Sequence, residues 1–222
     1  MSNRYTEIRG IIFDFDFTLA DSLKGVVECV NYALKKLNFI EHSEEKIKKT
    51  IGLTLENTFN FIVDGQYPEE SKKFKKYFIE RADEIMADST YLFDETYQTM
   101  KLLRNNGFKL GIVSTKFRYR IIGILKREDL LHYFDVIIGA EDVEKHKPDP
   151  RGLMKAIKRL NLSKTEIIYV GDSLTDAETA SNAGVPFIAT LSGITSQKDF
   201  KNYPVVQFIK NVSEIPKLLR IK

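Results

Sequence analysis

The chain has one cysteine, Cys29, and therefore no internal disulfide, and no CxxC pair is present to hold zinc or run dithiol redox chemistry. A reducing cytoplasm fits that poverty best. Long apolar runs are missing too: the polar N-terminus leads into a short hydrophobic segment, so neither a secretion signal nor a membrane partner is expected. An excess of one charge is also lacking. The 34 Lys+Arg against 31 Asp+Glu leave only +3, which gives no reason to expect a nucleic-acid partner. Internal repeats, heptads and low-complexity tracts are absent. What remains is 222 residues, 43% hydrophobic and 11% aromatic, enough to bury the core of one or two domains and too apolar for intrinsic disorder.

Short runs rich in Ile, Val and Phe recur at 11–13, 110–113, 136–138, 167–170 and 187–189, each bounded by polar residues or glycine. Such runs suit strands buried on both faces. Helical patterns lie between most of them, at 97–105, 119–127, 151–160 and 175–182, so the chain reads as an α/β fold with a mainly parallel sheet. A sixth strand is expected at 205–209 and a terminal helix at 212–221. Between Asp21 and Asp88 the alternation stops. Leu23, Val26, Val27, Val30, Ala33, Leu34 and Leu37 make one helical stripe; Leu55, Phe59 and Ile62 a second; Phe74, Tyr77, Phe78, Ala82 and Ile85 a third. A helical bundle inserted after the first strand is the simplest account. Cys29 is expected to be a small packing residue there, and Lys46–Lys49 and Lys72–Lys76 solvated faces.

Ligands of an open parallel sheet gather beyond the carboxyl ends of its strands. The first strand ends in Asp14-Phe15-Asp16, with two carboxylates two residues apart, the second in Ser114-Thr115, and that at 167–170 in Gly171-Asp172-Ser173. Asp14, Asp16 and Asp172 on one rim repel one another and imply a divalent cation. All-oxygen ligands suit a hard ion such as Mg²⁺. Asp176, one helical turn past Asp172, either reaches the same ion or is a first-turn acid favoured by the helix dipole. Lys147 precedes a helix that Asp149 is expected to cap and Pro150 to begin. A cation there opposes the dipole, so it calls for an anionic partner such as Asp14 or a bound phosphate.

These residues resemble the haloacid dehalogenase superfamily, in its phosphoglycolate-phosphatase-like branch. Asp14-Phe15-Asp16-Phe17-Thr18-Leu19-Ala20-Asp21-Ser22 is similar to the first motif, Ser114 to the second, Lys147-Pro148-Asp149-Pro150 to the third and Gly171-Asp172-Ser173-Leu174-Thr175-Asp176 to the fourth. Each is weak alone; four in order are not. The resemblance implies a Rossmann-like core at 1–20 and 88–222 and a helical cap domain at 21–87, with hinges near 20–23 and 87–90. It implies a Mg²⁺-dependent phosphatase of a small phosphorylated metabolite. Asp14 would be the nucleophile that becomes an aspartyl-phosphate, and Asp16 the general acid, touching the metal only through its backbone carbonyl. Ser114 and Lys147 would hold the phosphoryl oxygens, and Asp172 and Asp176 the metal. Substrate contacts are expected from Thr18, Ser22, Gly52, Thr54, Thr115, Lys116 and Arg118.

A phosphomutase or an inorganic pyrophosphatase of the same superfamily is the alternative, and the oligomeric state stays open. The carboxylate at Asp16 disfavours the family's dehalogenases and ion pumps, and glycine at 171, where the mutase branch carries glutamate, leans towards phosphatases. Two positions depart from the family pattern. Phe17 replaces a usual glycine, so a loop conformation open to a side chain is expected, with Phe17 packing under the cap or narrowing the pocket. Leu92-Phe93-Asp94-Glu95 replaces a proline-glycine turn.

Overall fold

The computed structural model describes residue 5 and residues 7–221. Its strands are β1 Gly10–Phe13, β2 Ala20–Asp21, β3 Tyr91–Leu92, β4 Lys109–Val113, β5 Val136–Ile138, β6 Ile167–Gly171, β7 Phe187–Thr190 and β8 Val205–Ile209. Its α-helices are α1 Leu23–Lys36, α2 Glu44–Lys48, α3 Leu55–Ile62, α4 Ser71–Ile85, α5 Thr96–Asn105, α6 Arg118–Arg127, α7 Arg151–Leu160, α8 Leu174–Ala183 and α9 Ile215–Leu218. The chain divides into two compact units, Met1–Ala20 with Leu92–Lys222, and Asp21–Tyr91.

The first unit holds a parallel six-stranded sheet in the order β5-β4-β1-β6-β7-β8. All four residues of β1 are buried because both faces of the sheet are covered. Ile11 and Phe13 share one face with Leu110, Ile112, Ile168 and Val170, under Met100 and Leu103 of α5, Ile121 and Ile124 of α6 and Ile215 of α9. Ile12 shares the other with Val113, Ile167, Tyr169 and Phe187, under Leu153 and Ile157 of α7 and Ala177 and Ala180 of α8. Each large side chain so buried contributes on the order of 2 kcal/mol. From β1 the chain runs outward through β4 to β5 and then returns to place β6 on the other side of β1. That reversal opens the crevice at the carboxyl ends of β4, β1 and β6.

The second unit packs α1, α2, α3 and α4 around Cys29, Val30, Leu34, Ile47, Phe59, Ile62, Phe74 and Phe78. Cys29 is fully buried, as a packing residue should be. Helix α3 starts at Thr54, whose hydroxyl accepts from Asn57 N–H at 3.2 Å, so this side chain caps a helix. Among the described residues no helix is long and apolar enough to cross a membrane.

Four details differ from expectation. The terminal helix is only α9, preceded by a 3₁₀ turn at Val212–Glu214, because Arg220 turns left-handed at φ 58° and ends it. Helix α7 begins one residue late, with Pro150 and not Asp149 at its N-cap; the Asp149 carboxylate, one residue further out, accepts from Arg151 N–H at 3.0 Å. Helix α2 carries no readable stripe, because Ile47 is its single buried residue. Strands β2 and β3, too short for a pattern, pair as a ribbon where the chain leaves and re-enters the first unit.

Candidate active site

Past β1, Asp14 N–H donates to Val170 O at 2.8 Å, which keeps the chain in the sheet one residue longer and leaves the carboxyl buried. The loop then folds on itself: Leu19 N–H and Ala20 N–H donate to Phe15 O at 2.9 and 3.1 Å, and Phe17 N–H to Ala20 O at 2.7 Å. Phe17 sits at φ 61°, the left-handed region, so the loop keeps a glycine-like conformation despite its side chain. That costs about 1–2 kcal/mol. Burial of the ring, which is 4% exposed, offsets it, and Ser192 Oγ donates to Phe17 O at 2.5 Å.

Lys147 is the hub of the rim. Its Nζ lies 2.9 Å from Asp14 Oδ1, outside hydrogen-bond geometry, and donates to Asp176 Oδ1 at 2.6 Å and to the Tyr169 hydroxyl at 3.3 Å. The anionic partner expected from its place before a helix is present twice over. Burial works against its charge, but Asp14 and Asp176 outweigh that and hold it protonated above the usual lysine range.

Asp176 lies in the first turn of α8, as the dipole reading expects, and beside Asp14 and Asp172 on the rim. Its Oδ2 accepts from Ser173 N–H at 3.2 Å and Ser173 Oγ at 2.5 Å, while Asp176 N–H donates back to Ser173 Oγ at 3.2 Å, a capping box that starts α8. Its Oδ1 accepts from Lys147 and, at 2.8 Å, from the Tyr169 hydroxyl, which itself reaches Val113 O at 3.2 Å.

Carboxylate oxygens of Asp14, Asp172 and Asp176 lie within 4.8 Å of one another, all three residues buried. Burial, then the charge of Asp176, pushes the Asp14 carboxyl up to about 7 against the pull of Lys147. Burial, then Asp176 and Asp14, lifts Asp172 well above the carboxylate range. When all three are ionised they exceed the single ammonium by two negative charges, in a buried pocket of hard oxygen donors, which fits a divalent cation.

Asp16 stays apart from that trio: its carboxylate pairs with Lys116 Nζ at 2.9 and 3.3 Å. Thr18 Oγ1 donates to Asp172 Oδ1 at 3.3 Å. Ser114 is buried at the end of β4 with its Oγ accepting from Lys116 N–H at 3.3 Å, and Thr115 beside it is half-buried. Arg118 is held elsewhere, its Nε on Asp142 Oδ2 at 2.9 Å. Ser22 and Gly52 belong to the helical unit. Ser22 is buried at the N-cap of α1 with no partner for its hydroxyl, and Gly52 takes φ 93° in the turn before α3.

Three participants went unread in the sequence. Tyr169 is the polar exception in the buried run of β6, and a buried phenol demands a partner. Ser192 and Gly193 follow β7, the next strand along the rim. A Cβ on Gly193 would collide with Asp172 Oδ2, and one on Gly171 would stand 2.5 Å from Asp176 Cβ, so both glycines let acids close in.

A family model, haloacid dehalogenase-like hydrolase, matches residues 11–190, which covers all four rim segments. The chain belongs to the haloacid dehalogenase-like hydrolases. Within them it stands in the phosphoglycolate-phosphatase-like branch and is a phosphatase. Phosphoglycolate phosphatases of Shigella boydii serotype 4 (strain Sb227) and Salmonella typhi are 30% and 32% identical to it over 212 residues, spanning 86% of this chain and 84% of theirs. The crystal structure of a haloacid dehalogenase-like hydrolase from Bacteroides fragilis is similar with a TM-score of 0.90 at 39% identity, over 94% of this chain and 99% of that one.

Proposed function

We propose that this phosphatase is a Mg²⁺-dependent phosphomonoester hydrolase working through an aspartyl-phosphate on Asp14. One observation carries the reading: three buried carboxylates at the ends of β1 and β6 and the start of α8 converge, and two of them, Asp14 and Asp176, pair with one buried lysine. Asp14, Asp172 and Asp176, with the backbone carbonyl of Asp16, would hold the ion. When bound, Mg²⁺ supplies the positive charge that lets a phosphate dianion approach a carboxylate.

The protein's own groups do the rest. Asp14 attacks phosphorus in line, forming the acyl-phosphate as the ester P–O bond breaks. Asp16 gives its proton to the leaving alkoxide, then as carboxylate takes one from the water that hydrolyses the acyl-phosphate. Lys147, kept charged by its acids, and the Ser114 hydroxyl hold the phosphoryl oxygens as charge spreads over them. Tyr169 and Ser173 hold Asp176, and Asp176 holds Lys147.

The substrate class is small phosphorylated metabolites, and phosphoglycolate, from the relatives' names, is the first compound to test. A panel of such esters assayed for phosphate release should show activity lost on chelation and restored better by Mg²⁺ than by Ca²⁺, whose larger and more flexible shell misplaces the phosphate. Equal rescue by both ions, or turnover without either, would sink the metal assignment. An isomerised product without phosphate release would point to a mutase.

A further inference from the structure

Lys116 is expected from the sequence to touch substrate, yet its ammonium is taken up inside the protein. Nζ reaches both carboxylate oxygens of Asp16, at 2.9 and 3.3 Å, and the two side chains are only 5% and 11% exposed. The base of the lysine is fixed as well, since its N–H donates to Ser114 Oγ at the end of β4. The ammonium also stands 5.9 Å from the centre of the Phe15 ring. Asp16 is two residues from Asp14 but is turned out of the carboxylate trio, and the lysine grips both of its oxygens.

We propose that Lys116 is a positioning residue for the acid Asp16 and not a ligand of the phosphoryl group. This rests on the role given to Asp16 above. Gripping both oxygens fixes the plane of the carboxyl, so that its proton is presented in one direction. When that proton passes to the leaving oxygen and the P–O bond breaks, the negative charge left on Asp16 forms beside an ammonium shielded from water. Short charge-assisted contacts of this kind are the strong ones.

The test uses kcat/KM, which covers the steps up to the aspartyl-phosphate, on an alkyl phosphate and on an aryl phosphate whose leaving group needs little protonation. With Mg²⁺ present, Lys116→Met should lose about tenfold or more on the alkyl ester and less than about threefold on the aryl ester. Lys116→Arg should recover part of the alkyl rate. In the Asp16→Asn background, Lys116→Met should cost nothing further. Circular dichroism checks that each variant folds, and Lys116→Gln serves as the neutral variant if methionine unfolds the chain. Equal losses on both esters, or an added loss in the Asp16→Asn background, would place Lys116 on the phosphate or in the scaffold and overturn the proposal. A parent protein that releases phosphate from no ester of the panel would overturn the phosphatase reading itself, a result distinct from either.

Discussion

The two units treat charge in opposite ways. In the α/β unit Asp14, Lys116, Lys147, Asp172 and Asp176 are buried at strand ends and helix starts, and Arg120 is buried in α6. In the helical unit the buried polar residues among those described are hydroxyls alone, Ser22, Thr50, Thr58, Ser71 and Thr90. Its charges pair at the surface instead, as Lys73 does with Glu70, Lys75 with Glu56 and Arg81 with Glu28 and Glu84. Burying an ion costs several kcal/mol even when it is paired, whereas a surface pair costs and gains little. Most of the charge buried in the α/β unit therefore lies at the candidate site, and the helical unit is held by apolar packing.

The hardest blow to that contrast is Asp14→Asn. It should cut phosphate release by about 10³-fold or more while leaving the melting temperature of metal-free protein equal or higher, because a repelling buried charge is removed. Sustained turnover would remove the nucleophile from this position. In the helical unit the corresponding damage is to packing: Phe59→Ala should cost about 3–5 kcal/mol in urea unfolding, and a loss under about 1 kcal/mol would mean that the cluster around it is not what holds the unit.

A pH titration sharpens the comparison further. The Asp14 carboxyl is raised from 3.8 to about 7, so in metal-free protein the folded state keeps a proton that the unfolded chain has released across that window. Stability from this site is then highest at the acid end of the window and falls as pH rises through it to about 7. Thermal melts with chelator should show that fall, and Mg²⁺ should flatten it. Smaller still is Phe17→Gly, in which lost ring burial outweighs relief of the left-handed backbone by about 1–2 kcal/mol; a more stable variant would mean that the strain dominates. Arg81→Ala, which breaks an exposed pair, should move neither melting temperature nor kcat measurably.

Much of the fold was legible because strands buried on both faces read as unbroken apolar runs, and α1, α3 and α4 show clear stripes. Helix α2 was not, since five residues with one buried contact carry no period. The candidate site was legible at Asp14, Ser114, Lys147 and Asp172, each marked by its place at a strand end or helix start. Lys116 and Arg118 stand two residues apart and read alike. Packing alone sends one to Asp16 and the other to Asp142.

What the amino-acid order determined by itself was local: which segments form the six-stranded sheet, which acids follow them and which family the motifs resemble. Tertiary structure decided what those acids meet. Placing β1 between β4 and β6 joined residues far apart in the chain in a buried pocket, and burial is what lifts Asp14 and Asp172 and makes Lys147 indispensable to them. Desolvation and Coulomb energy depend on distances through space, so no reading along the chain contains them.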